Sequence, residues 1–519
     1  LVGVTLFDLS ESLGNLTARR GLRLVIEDGK LGARSASGVE WFGSPDWLSV
    51  VEAEALARRL SPYRIGGVDA GGSDEDPLSM SNNPPLLEFL GIPGDPMTFD
   101  VQAAWRPRPV RDRYRVPFGI GEFGQQVELD IKEAAMEGMG PHGLCIGATG
   151  SGKSELLRTL VLGMLATHSS TSLNMILVDF KGGATFLGLD KAPHVAATIT
   201  NLAGDLTLVD RMKDAIAGEV SRRQEVLAKG NYKNVWDYEK ARENGADLDP
   251  LPALFICIDE FSEMLTAKPD FIDIFLQIGR VGRSLQMHML LASQRLEEGK
   301  LRGLDTFLSY RIGLKTFSAA ESRAAIGVPD AYELPPIPGS GYLGVQGSPL
   351  TRFKAAYVSD PDGPDGRSLL EVVVERLVGQ GPPAHEVWLP PLNEPPSLDT
   401  LLPPLQATED RGLTPPGFFS NGKLQVPLGV VDKPFEQRRD LLWADFSGAA
   451  GHGAIVGGPQ SGKSMMLRTM ITAMALTHTP QEVQFYCLDL GGGTLASLEN
   501  LPHVGGFASR LDVDKARRM

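Results

Sequence analysis

Apolar positions along this chain fall into unbroken runs and into stretches of helical spacing. "HGLCIG", "LPALFICID" and "QMHMLLAS" are almost wholly apolar and stop on small or polar residues. An unbroken run of that length predicts a strand buried on both faces, as in a parallel sheet covered by helices. "ELLRTLVLGMLA" and "SLLEVVVERLVG" read as helices, and "GYLGVQ" and "RFKAAYV" as strands. Nearer the start, "RGLRLVIEDGKL" reads as strands and "SVVEAEALARRLSP" as a helix with apolar residues at helical spacing. Alternation of this kind predicts an α/β fold with mainly parallel sheets flanked by helices.

The pattern is written twice. "CIGATGSGKSELLRTLVLGMLATH" aligns without gaps with "AIVGGPQSGKSMMLRTMITAMALTH", pairing Gly147 with Gly457, Lys153 with Lys463 and His168 with His478. The match runs on into "NMILVDFKGGATF" and "VQFYCLDLGGGTL", where Asp179 pairs with Asp489. Self-similarity on this scale predicts tandem domains, not a small solenoid repeat. Residues 1–65 are expected to be the C-terminal part of a preceding domain, whose strand-then-helix ending resembles the end of the first copy. A linker at 66–100, a first domain at 101–380, a proline-rich linker at 381–416 and the N-terminal part of a second domain at 417–519 follow. The proline-rich linker carries Val387, Trp388, Leu389, Leu398, Leu401 and Leu402, more apolar side chains than a spacer needs. It is expected to dock on a neighbouring domain, and "PPLLEFLGI" at 84–92 on the first copy.

Composition narrows the partners. The chain has 519 residues, too many for one core, and its 42% hydrophobic and 22% charged content is that of a soluble globular protein. No apolar run reaches transmembrane length and no signal peptide is visible, while an opening on Leu1 suggests a fragment. Cys145, Cys257 and Cys487 are too scattered for a metal site and read as buried thiols. A net charge of −14 opposes binding along a phosphate backbone, so no nucleic-acid partner is expected.

"GATGSGKS" supplies the chemistry. Gly147, Ala148, Thr149, Gly150, Ser151, Gly152, Lys153 and Ser154 fit a phosphate loop, in which backbone N–H groups cradle phosphates at a helix N-terminus. Lys153 is expected on the terminal phosphates and the Ser154 hydroxyl on Mg²⁺. The second copy offers Gly457, Gly458, Pro459, Gln460, Ser461, Gly462, Lys463 and Ser464, with Ser464 on the metal side. In "FICIDEFSEM", Asp259 is expected near Mg²⁺ and Glu260 as the base that activates water. Gln294, at the end of the next apolar run, can sense the γ-phosphate. Arg280 and Arg283 in "IGRVGRSLQ" are both candidates for a cation supplied across a subunit boundary.

Taken together, "GATGSGKSE", "VDFKGG", "FICIDEFSEM" and "GRVGRSLQMHMLLASQRL" resemble the FtsK/SpoIIIE class of RecA-like motor ATPases. Within it, the order of pieces resembles the EccC family of type VII (ESX) secretion motors. The resemblance implies tandem RecA-like P-loop ATPase domains using ATP and Mg²⁺, and it selects Arg283 over Arg280 as the arginine acting in trans. It also implies a hexamer at the cytoplasmic face of the bacterial inner membrane. Secreted proteins of the ESX/WXG type and other membrane components of the secretion complex are the implied partners. A DNA translocase of the same class is the alternative. In the second copy, Gly491 replaces Lys181 and Pro459 stiffens the loop, so whether that copy hydrolyses ATP is left open.

Overall fold

The computed structural model of the chain describes residues 24–35, 38–60, 84–92, 95–296, 299, 301, 303–361, 366–418, 423–491 and 493–519. A ten-stranded sheet organises the first copy. Its parallel part runs, in spatial order, Tyr310–Leu314, His142–Ile146, Met287–Ser293, Ala253–Asp259, Leu173–Asp179 and Val195–Thr200. On the other side of Tyr310–Leu314 the sheet continues antiparallel through Ser340–Val345, Thr351–Ala355, Arg115–Gly121 and Gln126–Asp130. The three unbroken apolar runs are thus neighbouring central strands, each buried at every position.

Residues alternate between two cores, one on each face of the sheet. Along His142–Ile146, Cys145 enters the core built around the helix Lys153–Thr167, while Leu144 and Ile146 enter the core built around Leu206–Gly230 and Ile272–Leu285. All three cysteines are buried and unpaired, as their spacing predicted. Because Met287–Ser293 lies between the phosphate-loop strand and Ala253–Asp259, three strand ends open at one edge of the sheet. That edge, the carboxyl end of parallel strands, is where open α/β sheets bind ligands.

Both proline-containing segments are packed. Leu86, Leu87 and Leu90 are buried in the core beside Val116, so 84–92 docks on the first copy. In the 381–416 segment, Ala384 N donates to Pro193 O (2.7 Å) and Val387 N to Ala196 O (3.3 Å) beside the sheet's outer parallel strand. The Arg211 guanidinium lies 4.6 Å from the centre of the Trp388 indole and donates to Leu389 O (2.6 Å) and Asp432 (2.8 Å). The hairpin Gln425–Lys433 and Arg438–Asp445 closes against the same helix. A Cβ at Gly218 would come within 1.9 Å of the Phe435 carbonyl oxygen, so only glycine admits that approach.

Residues 24–60 form a three-stranded antiparallel sheet, Leu24–Glu27, Lys30–Ser35 and Gly38–Gly43, then the helix Val50–Leu60. This is the strand-then-helix order read from the sequence; residues 1–23 and 61–65 lie outside the described residues. The second copy has the helix Lys463–Thr477 and the parallel strands Phe485–Asp489 and Val504–Ser509. Its phosphate-loop run is not a strand, and Ile455 and Val456 are 40% and 93% exposed. In the first copy this run is held between Met287–Ser293 and Tyr310–Leu314. No described helix is long and apolar enough to cross a membrane.

Candidate nucleotide site

The loop 147–152 leads from the central strand into a 15-residue helix, whose free N–H groups and dipole favour an anion at Lys153. Gly150 and Gly152 take left-handed backbone angles (φ +80° and +89°), the second pressed against the backbone of Gly339. A cavity of about 340 Å³ opens above the loop, lined also by Arg158, Thr185 and Gln294. The Ser151 hydroxyl does not line that cavity; it is buried within the loop and has no hydrogen-bond partner among the described residues. A glycine-turned loop, a helix N-terminus and a buried cation fit a polyphosphate.

Lys153, Asp259 and Glu260 are all buried and form one ionic cluster. The Lys153 ammonium pairs with Asp259 Oδ1 and lies 3.2 Å from Glu260 Oε1. Burial alone would lower the pKa of Lys153; the carboxylates of Asp259 and Glu260 outweigh it and hold the pKa above its ordinary value. The lysine is therefore charged and balances the acids until phosphates compete for it. Glu260 sits in the left-handed region (φ 61°, ψ 38°), a conformation costing about 1–3 kcal/mol that concentrates at functional sites. Its Oε2 is 3.4 Å from Gln294 N and 3.5 Å from Ser293 Oγ, and Gln294 Oε1 accepts from the Thr149 hydroxyl (2.8 Å). Gln294 thus spans the phosphate loop and the acid pair.

Ser154 and Asp259, the expected metal-side residues, are linked by a residue that sequence reasoning passed over. The Thr185 hydroxyl donates to Asp259 Oδ2 (2.9 Å) and lies 3.4 Å from Ser154 Oγ. Thr185 is held by Asp179, whose carboxylate accepts from the backbone N–H groups of Lys181, Gly182 and Thr185, each at 3.1 Å. Burial pushes the Asp179 pKa up, but these donors, Gly182 and Thr185 foremost, bring it below the ordinary aspartate value. The match of Asp179 with Asp489 was the available signal for this loop. An oxygen set of Ser154, Thr185 and Asp259 beside a phosphate loop suits a hard divalent cation.

Arg283 is elsewhere. It occupies the last turn of Ile272–Leu285, before the strand whose far end carries Ser293, and seven residues at ~3.3 Å each separate it from its own site by roughly 20 Å. It is mostly exposed and pairs with Glu133 (3.1 Å). Arg280 is also exposed, one turn earlier.

In the second copy, Lys463 turns back to donate to its own loop, to Gly457 O (2.7 Å) and Gly458 O. Gln460 stands where the first copy has Gly150 and carries φ 57°, a left-handed angle that disfavours side chains by about 1–2 kcal/mol. Asp489 repeats the Asp179 turn, accepting from Gly491 N and Leu495 N at 3.0 Å each. One residue shorter, the second loop keeps its threonine as Thr494, and Leu498 N bonds Leu495 O as Leu189 N bonds Phe186 O.

Comparison with known proteins bears on this arrangement directly. The FtsK/SpoIIIE family matches residues 101–298 and 421–519, more than half of the chain. The chain belongs to the FtsK/SpoIIIE family. Its sheet is accordingly that of a RecA-like P-loop ATPase. Among family relatives, it is 54% identical to the ESX secretion system protein EccC of Thermomonospora curvata, over 99% of this chain and 42% of that protein. It is 50% identical to the ESX-4 secretion system protein EccC4 of Mycobacterium tuberculosis, over 94% of this chain and 41% of that protein. The cytoplasmic domain of the Thermomonospora curvata type VII secretion ATPase EccC superposes with a TM-score of 0.82 at 62% identity, covering 84% of this chain and 51% of that one. The chain thus spans about two-fifths of the length of these curated relatives.

Proposed function

We propose that this chain is part of the ATP-hydrolysing motor of a type VII secretion system, with the first copy as the hydrolysing site and the second as a nucleotide-binding partner. The observation that carries the reading is the buried cluster of Lys153, Asp259 and Glu260 with Gln294 at the mouth of the phosphate loop. Similarity to EccC proteins along nearly the whole chain supports secretion as the use of that site. The motor would work at the cytoplasmic face of the bacterial inner membrane, with secreted polypeptides and other secretion components as partners.

In this mechanism the loop N–H groups and Lys153 bind the phosphates of ATP, and Lys153 leaves its carboxylates to do so. Ser154 and Asp259 would hold Mg²⁺, which supplies charge neutralisation at the β- and γ-phosphates when bound. Glu260, released from the lysine, accepts a proton from water aligned on the γ-phosphate. Gln294, bonded on one side to Thr149 and near Glu260 on the other, reports whether that phosphate is present. At a net charge of −14, duplex DNA should bind only non-specifically, with Kd roughly 10⁻⁴–10⁻⁶ M at physiological salt. Steady-state hydrolysis by the chain with added duplex DNA or added ESX-type substrate tests the reading. Stimulation by the polypeptide alone is expected; stimulation by DNA with a steep salt dependence would establish the translocase instead.

Arg283 lies too far from its own Lys153 to serve it and is exposed enough to serve a neighbour's, in a ring that EccC resemblance suggests is hexameric. Arg283→Ala should lower turnover by about 10³-fold or more, and Glu260→Gln by about 10²–10⁴-fold. Randomly mixed rings of the two variants place an intact Glu260 beside an intact neighbouring arginine at about a quarter of interfaces, so activity should return in proportion. Mixed rings with no recovery would rule out action in trans.

A further inference from the structure

We propose that Thr185 is a positioning residue for the metal side of the first nucleotide site. The inference rests on the reading of Ser154 and Asp259 as the metal-holding pair. Thr185 is buried, and its single hydroxyl proton goes to Asp259 Oδ2 (2.9 Å) while its oxygen lies 3.4 Å from Ser154 Oγ. It is thus the one described residue whose side chain contacts both. Asp259 is also drawn by Lys153 on its other oxygen. When Lys153 turns to a phosphate, the bond from Thr185 is what remains to keep the Asp259 carboxylate facing Ser154.

The loop that presents Thr185 is built for that placement. Asp179 Oδ1 accepts from the N–H groups of Lys181 and Gly182, and its Oδ2 from that of Thr185, which fixes the backbone from which the hydroxyl projects. The second copy keeps the same turn: Asp489 Oδ1 accepts from Gly491 N and Oδ2 from Leu495 N. The loop is one residue shorter there, and its threonine, Thr494, directly precedes Leu495. Leu495 is buried among Ile471, Cys487, Leu498 and Phe507, as Phe186 is buried in the first copy's core with Leu189.

The test uses the full chain and the binding of a non-hydrolysable ATP analogue, followed by calorimetry across a Mg²⁺ titration, with Lys463→Ala in all proteins so that the first site alone is read. Thr185→Val preserves shape and removes the hydroxyl; Thr185→Ser keeps the hydroxyl. Partners that orient metal ligands are worth about 10–100-fold in metal affinity, so Thr185→Val should raise the Mg²⁺ concentration for half-saturation by that factor. Its affinity for the analogue in excess chelator should match the parent, and Thr185→Ser should restore the parental Mg²⁺ dependence. A parental titration for Thr185→Val, or a Ser variant as impaired as the Val variant, overturns the inference. Ser154→Ala separates the two levels. If it shifts the Mg²⁺ dependence while Thr185→Val does not, the inference alone fails; if it shifts nothing, the metal assignment falls and the inference with it.

Discussion

Lys153→Ala is expected to remove ATP binding at the first site and to lower turnover by at least about 10²-fold, the usual loss when one preorganised charge donor is deleted. Its second effect comes from burial. Without nucleotide, Lys153 is the cation paired with both Asp259 and Glu260, and removing it leaves two buried carboxylates without that partner. Breaking a buried pair from one side costs about 3–5 kcal/mol, moderated here if one carboxyl takes up a proton. The variant should therefore unfold at lower temperature than the parent in the absence of nucleotide. ATP at 100 times Kd should stabilise the parent's first copy by ~2.7 kcal/mol and the variant's hardly at all. Thermal unfolding with and without Mg-ATP reads both effects. A variant as stable as the parent and equally protected by ATP would show that the ionic cluster has no part in binding.

Glu260→Gln should separate binding from chemistry. The amide keeps the side chain's shape and can still accept near Gln294 N, but it cannot take a proton from water. A general base contributes about 10²–10⁴-fold, and turnover should fall within that range. The amide also carries no charge to compete for Lys153, so ATP should be held at least as tightly as by the parent. Filter binding of radiolabelled ATP beside a phosphate-release assay gives both numbers. Equal loss of binding and turnover would place Glu260 among the structural members of the cluster, and parental turnover would remove it from the reaction.

Much of this site was legible in the residues because its chemistry is local. Gly150 and Gly152 stand where backbone angles disfavour side chains, and Asp259 and Glu260 end an apolar run of the kind a buried strand makes. Gln294 was legible for the same reason, at the end of the neighbouring strand. Thr185 was not, since its place beside Asp259 depends on strand order and on a turn closed by Asp179 across six residues. The threonine shared by "GGATF" and "GGGTL" was the one sequence clue. The docked connector was legible from Val387 and Trp388, but its seat was not. Arg211 and Gly218, which receive Trp388 and the Phe435 carbonyl, read as ordinary positions on an amphipathic helix.

The central claim is that the first copy turns ATP over and the second does not need to. Phosphate release under single-turnover conditions by the Lys463→Ala chain, set beside Lys153→Ala, tests it most directly. Lys463 bonds only its own loop carbonyls, Gly457 and Gly458, among its hydrogen bonds described, so its loss should leave the first site's cluster intact. The account predicts phosphate release from Lys463→Ala within about threefold of the parent, as expected for a surface change away from the chemistry, and almost none from Lys153→Ala. Release that survives Lys153→Ala and disappears in Lys463→Ala would place the engine in the second copy and contradict the account.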